Sequence, residues 1–301
     1  MDIKRNDKIC AGMVLYQPKP KLLDQNIHAI INQVDKLFIF DNGSTNRVDI
    51  KDVIKKYQEK ITYHYEKDNK GIAYGLNWLL KSAYIAKYDW CLTLDQDSIC
   101  SSNMIAEYKK YLKLDKVALI TPFILNNGKI TLTEYKKMNL PDITVINEPM
   151  DAITSGCLTN VKIFKKLGGL NSRLFIDFVD TELNCKVINN GYKIIRVNNT
   201  FLIQEMGKGK KVPLFSWLYD TTGINMFRRL KVVTVYPDFR LYYSARNGKY
   251  IRKHFKKHGK RSSFLFLLMC YCYLSLFYPA DRSRLKMWES IIKGYKDYKK
   301  L

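Results

Sequence analysis

Two aspartates, Asp95 and Asp97, stand two positions apart in the stretch LDQDS, directly after an apolar run. Carboxylates this close can both reach one Mg²⁺ or Mn²⁺, directly or through water. Hard oxygen donors suit those ions, and Mg²⁺ often shares its coordination shell with substrate phosphates. Read alone, the pair is more readily the polar end of a strand than a metal site. Asp41, in FDNGSTN (40–46), raises the same choice. Its carboxylate could accept hydrogen bonds from a base or a ribose hydroxyl, or it could belong to a turn built on Asn42 and Gly43. In EKDNKGIAYGLN (66–77), Gly71 and Gly75 would let a helix and a ligand approach closely, and a helix N-terminus favours an anion. Asn69 and Lys70 would serve phosphates there or simply be solvated. The glycine spacing matches neither a Walker loop nor GxGxxG.

The elements that must position these residues alternate. Strands are expected at 9–16, 36–41, 61–66, 89–95 and 116–124, with helices at 22–34, 48–58, 71–86 and 102–112 between them. Strands separated by helices of this length indicate βαβ units and a mostly parallel sheet. The second strand ends in Asp41, the third in Glu66 and the fourth in Asp95. Ligands of open α/β sheets bind at the carboxyl ends of the strands, so three acidic ends in succession point to a site rather than to ordinary turns. From 125 to 225 the pattern is less regular, with a short helix at 160–171 ending in Gly168-Gly169 and a strand at 192–197.

The chain of 301 residues carries 51 Lys and Arg against 28 Asp and Glu, a formal net charge of +23. Such a surplus suits nucleic acid, an anionic membrane surface or a phosphorylated small molecule. The 7 cysteines include no CxxC pair, which argues against a zinc site and for reduced thiols in a cytosolic compartment. The N-terminal apolar stretch is too short for a signal peptide. After about residue 225 the composition changes. Arg228 to Arg261 is strongly basic, and Ser262 to Ala280 carries no charge. The uncharged stretch reads as a buried helix, a short membrane span or a helix in the membrane interface; the basic run before it favours the interface.

The ordered set FDNGS, NKGIAYGLN, LDQDS, SGC (155–157) and FIDFVDTELNCKV (175–187) resembles family 2 glycosyltransferases over residues 8 to 210. The segment RLYYSARN (240–247) resembles their bacterial rhamnosyltransferase branch. The resemblance implies an α/β fold of the GT-A, Rossmann-like type: a mostly parallel sheet flanked by helices, with a C-terminal helical, basic and apolar extension. It implies that Asp41 contacts the base and ribose of a nucleotide-sugar donor. Asp95 would steady the donor diphosphate, and Asp97, with Asp95, would hold Mg²⁺ or Mn²⁺. Tyr16, Asn42, Asn69, Lys70, Gly71, Asn77 and Gly156 join the candidate substrate-binding positions. Asp180 falls on the family's catalytic-base position, with Asp177 as its rival; both also fit the acidic first turn of a helix. Val179 replaces the usual glutamate beside the base. Gln204 stands near the place where many members carry a metal-binding histidine. Arg246 and Asn247 match the branch's motif and would touch acceptor or donor.

The expected organisation is a glycosyltransferase domain over 1–225 and a membrane-associating, acceptor-side extension over 226–301. The expected activity is metal-dependent, inverting transfer of a sugar, L-rhamnose from dTDP-rhamnose or else a UDP-hexose. The acceptor would be lipid-linked or polysaccharide, in bacterial surface polysaccharide synthesis at the inner face of the plasma membrane. Nucleic acid is not an expected partner. A phosphatase would place its DxD near the chain start, and a basic membrane- or RNA-binding module would leave Asp41, Asp95, Asp97 and Asp180 without a shared purpose.

Overall fold

The computed structural model describes residues 7–126, 130–204, 209–234, 236–278 and 282–301. The chain forms two compact units, Met1–Glu205 with Phe255–Gly259, and Met206–His254 with Lys260–Leu301. Residues 206–225 thus cluster with the second unit. The physical reason is local: Val212 is buried in that unit's core, and 209–211 pair with 232–234.

The first unit opens with β1 (Ile9–Leu15), α1 (Pro20–Ile31), β2 (Lys36–Asn42), α2 (Arg47–Lys55), β3 (Ile61–Glu66), α3 (Ile72–Ile85) and β4 (Trp90–Asp95). It continues with β5 (Ser98–Cys100), α4 (Met104–Lys109), β6 (Val117–Asn126), α5 (Leu132–Lys137), β7 (Ile143–Val145), β8 (Cys157–Asn160), α6 (Val161–Lys166), α7 (Val179–Asn189) and β9 (Lys193–Gln204). Among the described residues nine strands make one sheet, in the order β3-β2-β1-β4-β8-β6-β9-β5, with β7 also on β9. The pairs β1/β2, β1/β4, β2/β3 and β6/β9 are parallel. Every residue of β1 is buried, as expected of a central strand covered on both faces. Leu23, Ile27, Ile30 and Ile31 of α1 pack into the same core. Their spacing is the apolar stripe read from the sequence.

The short strand β8 runs antiparallel to both β4 and β6. Its four residues carry no helix or hairpin signature, and the sequence reading passed over them. The reversal has a consequence for the site: Cys157 pairs with Thr93, so the segment preceding β8 arrives at the carboxyl end of β4.

The second unit contains β10 (Gly209–Lys211), α8 (Pro213–Thr222), α9 (Asn225–Leu230), β11 (Val232–Thr234), α10 (Asp238–His254), α11 (Phe264–Leu276) and α12 (Arg284–Asp297). Its core joins Leu241, Ala245, Leu274, Met287 and Ile291. The close fit of α10 to α12 needs Gly294, where a Cβ would lie 2.1 Å from the Tyr242 carbonyl oxygen. The uncharged stretch of the sequence becomes the 13-residue α11, roughly 20 Å long at 1.5 Å per residue. A hydrocarbon core is about 30 Å thick. Among the described residues no helix is long and apolar enough to cross a membrane.

Candidate active site

The chain lays down β1, β2 and β3 to one side and then returns to place β4 on the other side of β1. At such a reversal the connections diverge and leave a crevice outside the carboxyl ends of the strands. Val14 pairs with Asp95, and Leu15 pairs with Asp41, so both aspartates reach this edge together with Tyr16.

Asp95 is held on every side. Its N–H donates to Ser155 Oγ at 3.0 Å, its carbonyl accepts from Asn26 Nδ2 at 2.6 Å, and its Oδ2 accepts from Gln204 Nε2 at 3.2 Å. Gln204 reaches it because Ser98 of β5 pairs with Gln204 of β9. Burial pushes the Asp95 carboxyl up to about 7, with the charges of Asp180 and Asp97 adding to the rise; Gln204 and Ser155 oppose it. Gln96, between the two aspartates, clasps the backbone of Tyr16. Its Oε1 accepts from the Tyr16 N–H at 2.8 Å, and its Nε2 donates to the Tyr16 carbonyl at 3.0 Å. That clasp ties the aspartate pair to the end of β1, while the Tyr16 ring stays exposed.

Asp180 lies in the first turn of α7. Thr154, delivered by the segment before β8, donates to Asp180 Oδ1 twice, from Oγ1 at 2.6 Å and from its N–H at 3.1 Å. Burial raises the Asp180 carboxyl, and Asp177 adds to the rise. The loop that carries the two is strained. Phe175, Asp177 and Phe178 have φ of 63°, 63° and 61°, and a left-handed conformation costs a non-glycine residue about 1–2 kcal/mol. Outliers of this kind cluster at functional sites. The Ile72 N–H at the start of α3 donates to the Phe175 carbonyl at 2.7 Å and so anchors the loop.

The remaining candidates divide by what their polar atoms already do. Asp41 is fully buried; Oδ1 accepts from the Ser44 N–H at 2.9 Å and Oδ2 from the Tyr63 hydroxyl at 2.6 Å. Its carboxylate shapes the turn after β2. Asn42 donates to Asn69 Oδ1 and accepts from the Lys70 N–H, and Asn69 Oδ1 also accepts from the Gly71 N–H. These bonds fold the 69–71 loop onto the end of β2. The Lys70 ammonium is half-exposed and lies 3.5 Å from Asp68.

Gly71 and Gly75, expected to let a helix and a ligand approach closely, also let the protein pack closely on itself. A Cβ on Gly71, at φ +86°, would lie 2.6 Å from Phe175, and one on Gly75 would lie 2.8 Å from Val14. Asn77 clamps the segment before the strained loop, donating to the Leu170 carbonyl and to Ser172 Oγ and accepting from the Leu170 N–H. Gly156 donates to the Thr93 carbonyl at 2.8 Å and accepts from the Tyr108 hydroxyl at 2.7 Å. Arg246 and Asn247 belong to the second unit, on α10, both buried; Arg246 Nε donates to Asn247 Oδ1 at 3.0 Å, and its guanidinium lies over the Tyr243 ring. Sequence reasoning missed Thr154, Ser155, Gln96, Asn26 and Tyr63. The available signal was a run of polar residues beside the aspartates and the SGC motif, where only the glycine was counted.

Among the described residues no group of three or more His, Cys, Asp or Glu forms a ready-made cation cage. The donor chemistry nonetheless fits a hard divalent ion. Asp95 and Asp97 are carboxylates on one edge, and the rise at Asp95 comes from burial and from like charges, which a cation between them would relieve.

The comparisons with known proteins agree with this architecture. The family described as "Glycosyl transferase family 2" matches residues 11–168. The chain is 24% identical over 252 residues to "dTDP-rhamnosyl transferase RfbF" of Shigella flexneri, covering 81% of this chain and 79% of that protein. Among solved structures, GalNAc-T7 with UDP, GalNAc and Mn²⁺ superposes with a TM-score of 0.56 at 12% identity, over 99% of this chain and 57% of that one. The mannosyltransferase PcManGT of Pyrobaculum calidifontis, with GDP-Man and Mn²⁺, gives 0.56 at 13% identity, over 97% and 74%. The sheet is that of the GT-A fold, and the chain belongs to glycosyl transferase family 2.

Proposed function

We propose that the chain transfers L-rhamnose from dTDP-rhamnose, with inversion and with a divalent cation, to a lipid-linked or polysaccharide acceptor of a bacterial surface polymer. The observation that carries the reading is the gathering of Asp95, Asp97 and Asp180 at the reversal of the sheet, close enough for Asp180 and Asp97 to raise the Asp95 carboxyl. The choice of donor rests on the similarity to a dTDP-rhamnosyl transferase.

Asp180 is the base. Thr154 occupies its Oδ1 with two bonds, leaving Oδ2 to take the proton from the acceptor hydroxyl. Burial strengthens it as a base at neutral pH. The acceptor oxygen attacks the anomeric carbon as the bond from that carbon to the diphosphate oxygen breaks. The electron pair leaves with the nucleoside diphosphate. One displacement inverts the centre. Asp97 and Asp95 would hold Mg²⁺ or Mn²⁺, which when bound supplies positive charge for the departing diphosphate. Asp177 shapes the loop beside the base. Asp41 acts through the turn it builds, and Tyr16 offers an exposed ring at the same edge.

The first unit would be the catalytic domain, and the second, which takes in 206–225 as well as the expected extension from 226, the membrane-associating part, at the inner face of the plasma membrane. Leu265, Met269, Cys272 and Leu276 of α11 form one exposed apolar stripe at helical spacing. The second unit holds 20 Lys and Arg against 5 Asp and Glu, a surplus of 15. Apolar residues beside a basic surface fit an anionic bilayer.

The test is a thermal-shift panel of nucleotide sugars with and without Mn²⁺. dTDP-rhamnose with Mn²⁺ should stabilise the protein most. A larger effect of a UDP-hexose would replace the donor, and no effect of Mn²⁺ would remove the cation.

A further inference from the structure

Asp180 reaches the site on the least regular part of the first unit. It opens α7 directly after the loop in which Phe175, Asp177 and Phe178 hold positive φ. Phe178, which precedes the first turn of α7, gives that turn no side-chain hydrogen bond. An aspartate does not fix the plane of its own carboxylate, because its terminal torsion is broad. The aim of Oδ2 therefore has to be set from outside α7.

Thr154 sets it from the turn before β8. Its Oγ1, at 2.6 Å, and its N–H, at 3.1 Å, both donate to Asp180 Oδ1. Rotating the carboxylate would break both bonds together. A threonine hydroxyl has one proton to give, and here Asp180 takes it. Thr154 is itself buried and fastened. The Cys157 N–H donates to the Thr154 carbonyl at 3.2 Å and closes a turn over 154–157. Gly156, at φ +74°, stands third in that turn, the position at which a type II turn takes a positive φ. Thr93 Oγ1 of β4 donates to the same Thr154 carbonyl at 2.6 Å, and the Gly156 N–H donates to the Thr93 carbonyl at 2.8 Å. From the other side the Tyr108 hydroxyl of α4 donates to the Gly156 carbonyl at 2.7 Å. The second residue of the turn, Ser155, accepts from the Asp95 N–H at 3.0 Å. One four-residue turn thus bonds both Asp180 and Asp95, and it is fastened to β4, the strand that carries Asp95.

We infer that Thr154 is a positioning residue of the reaction: its hydroxyl, held by the turn on β4, keeps the Asp180 carboxylate at a fixed spacing from the aspartate edge. The inference rests on Asp180 being the base, as proposed above. The hydroxyl acts through Asp180 and takes no part in bond making. The strained loop delivers the base, and the turn aims it.

The experiment follows release of dTDP from dTDP-rhamnose by the full chain in Mn²⁺, with water as the acceptor, so that no lipid is needed. The water oxygen attacks the anomeric carbon, a water proton passes to Asp180 Oδ2, and the bond to the diphosphate oxygen breaks with its electron pair on dTDP. Thr154→Val keeps the shape of the side chain and removes the hydroxyl. It should lower kcat about 10- to 100-fold, the scale of a base misplaced by about 1 Å, and leave KM for dTDP-rhamnose nearly unchanged. Thr154→Ser, which keeps the hydroxyl and loses the methyl, should recover most of the lost rate. In an Asp180→Asn background Thr154→Val should cost nothing further, because the two act as one unit. If Thr154→Val does not fold, Thr154→Ala carries the same test. Wild-type kcat in Thr154→Val overturns the inference, as does a loss that serine does not recover or that persists in the Asp180→Asn background. Failure of the two readings is distinguishable. Wild-type kcat in Asp180→Asn rejects the base and the positioning with it. A slow Asp180→Asn beside a Thr154→Val of wild-type rate rejects the positioning alone.

Discussion

The raised carboxyl of Asp95 makes a prediction that needs no substrate. In the protein stripped of cations by chelation, Asp95 titrates near 7, whereas an unfolded aspartate titrates near 3.9. Below pH 4 both states hold the proton. Between 4 and 7 the unfolded chain has released it and the native chain has kept it, so stability falls as pH rises through that window and levels off above 7. The ceiling is about three pKa units at 1.36 kcal/mol each, or about 4 kcal/mol. Some of the side chain meets solvent, which lowers it. Between pH 5 and 8 the expected loss is up to about 3 kcal/mol, or roughly 6–12 °C at 2–4 °C per kcal/mol. The groups that face Asp95 are Asp180, Asp97, Gln204 and Ser155, so the measured midpoint belongs to the carboxylate cluster as a whole. Asp95→Asn should remove most of the effect: it should melt above wild type at pH 8, with a gap that shrinks towards pH 5 and closes only below about pH 4. The assay is differential scanning fluorimetry of both proteins in EDTA across that range. A wild-type minus variant difference that does not change with pH would refute the argument.

Other outcomes follow from the same geometry. Asp97→Asn should abolish Mn²⁺-dependent stabilisation by dTDP-rhamnose in a thermal-shift titration. Asp180→Asn should leave donor binding intact and lower the transfer rate by about 10²–10⁴-fold in a radiolabelled-sugar assay, the usual contribution of a general base. A larger loss at Asp177→Asn than at Asp180→Asn would exchange their roles. Gly71→Ala combines a positive φ with a Cβ 2.6 Å from Phe175, and should cost about 2–5 kcal/mol in urea unfolding from strain and overpacking together. Leu265→Glu with Met269→Glu should abolish flotation with anionic vesicles and leave the melting temperature unchanged, since both side chains are exposed.

The sequence disclosed the parts of the fold that repeat. β1 to β4 and the helices between them follow the two periodicities, and their ends fall within a few residues of expectation. β5, β7 and β8 are only three or four residues long, too short to carry a period, and their pairing partners are distant in the chain. The acidic edge was legible because strand ends can be read one by one. What each amide or glycine does there was not. Asn42, Asn69 and Asn77 bond to loops, and Gly156 to Thr93 of β4 and Tyr108 of α4, which only tertiary structure brings near. A polar residue bound for a ligand and one bound for a loop look the same in a sequence. Gln204 is the instructive case: it stands where many family members carry a metal-binding histidine, and its amide donates to the Asp95 carboxylate, a bond no local pattern announces.

The loop from Phe175 to Phe178 carries three left-handed residues that are not glycine. Together they store about 3–6 kcal/mol, held in by Ile72, Thr154 and Asn77. Such a segment works like a sprung latch. Letting go of it releases that strain, so amide exchange there should outpace the flanking helix α7. The retaining bonds lie on elements separated widely in sequence, which makes the tension of the latch adjustable at a distance. One glycine at 175, 177 or 178 would slacken it, trading a fixed base for a more yielding fold.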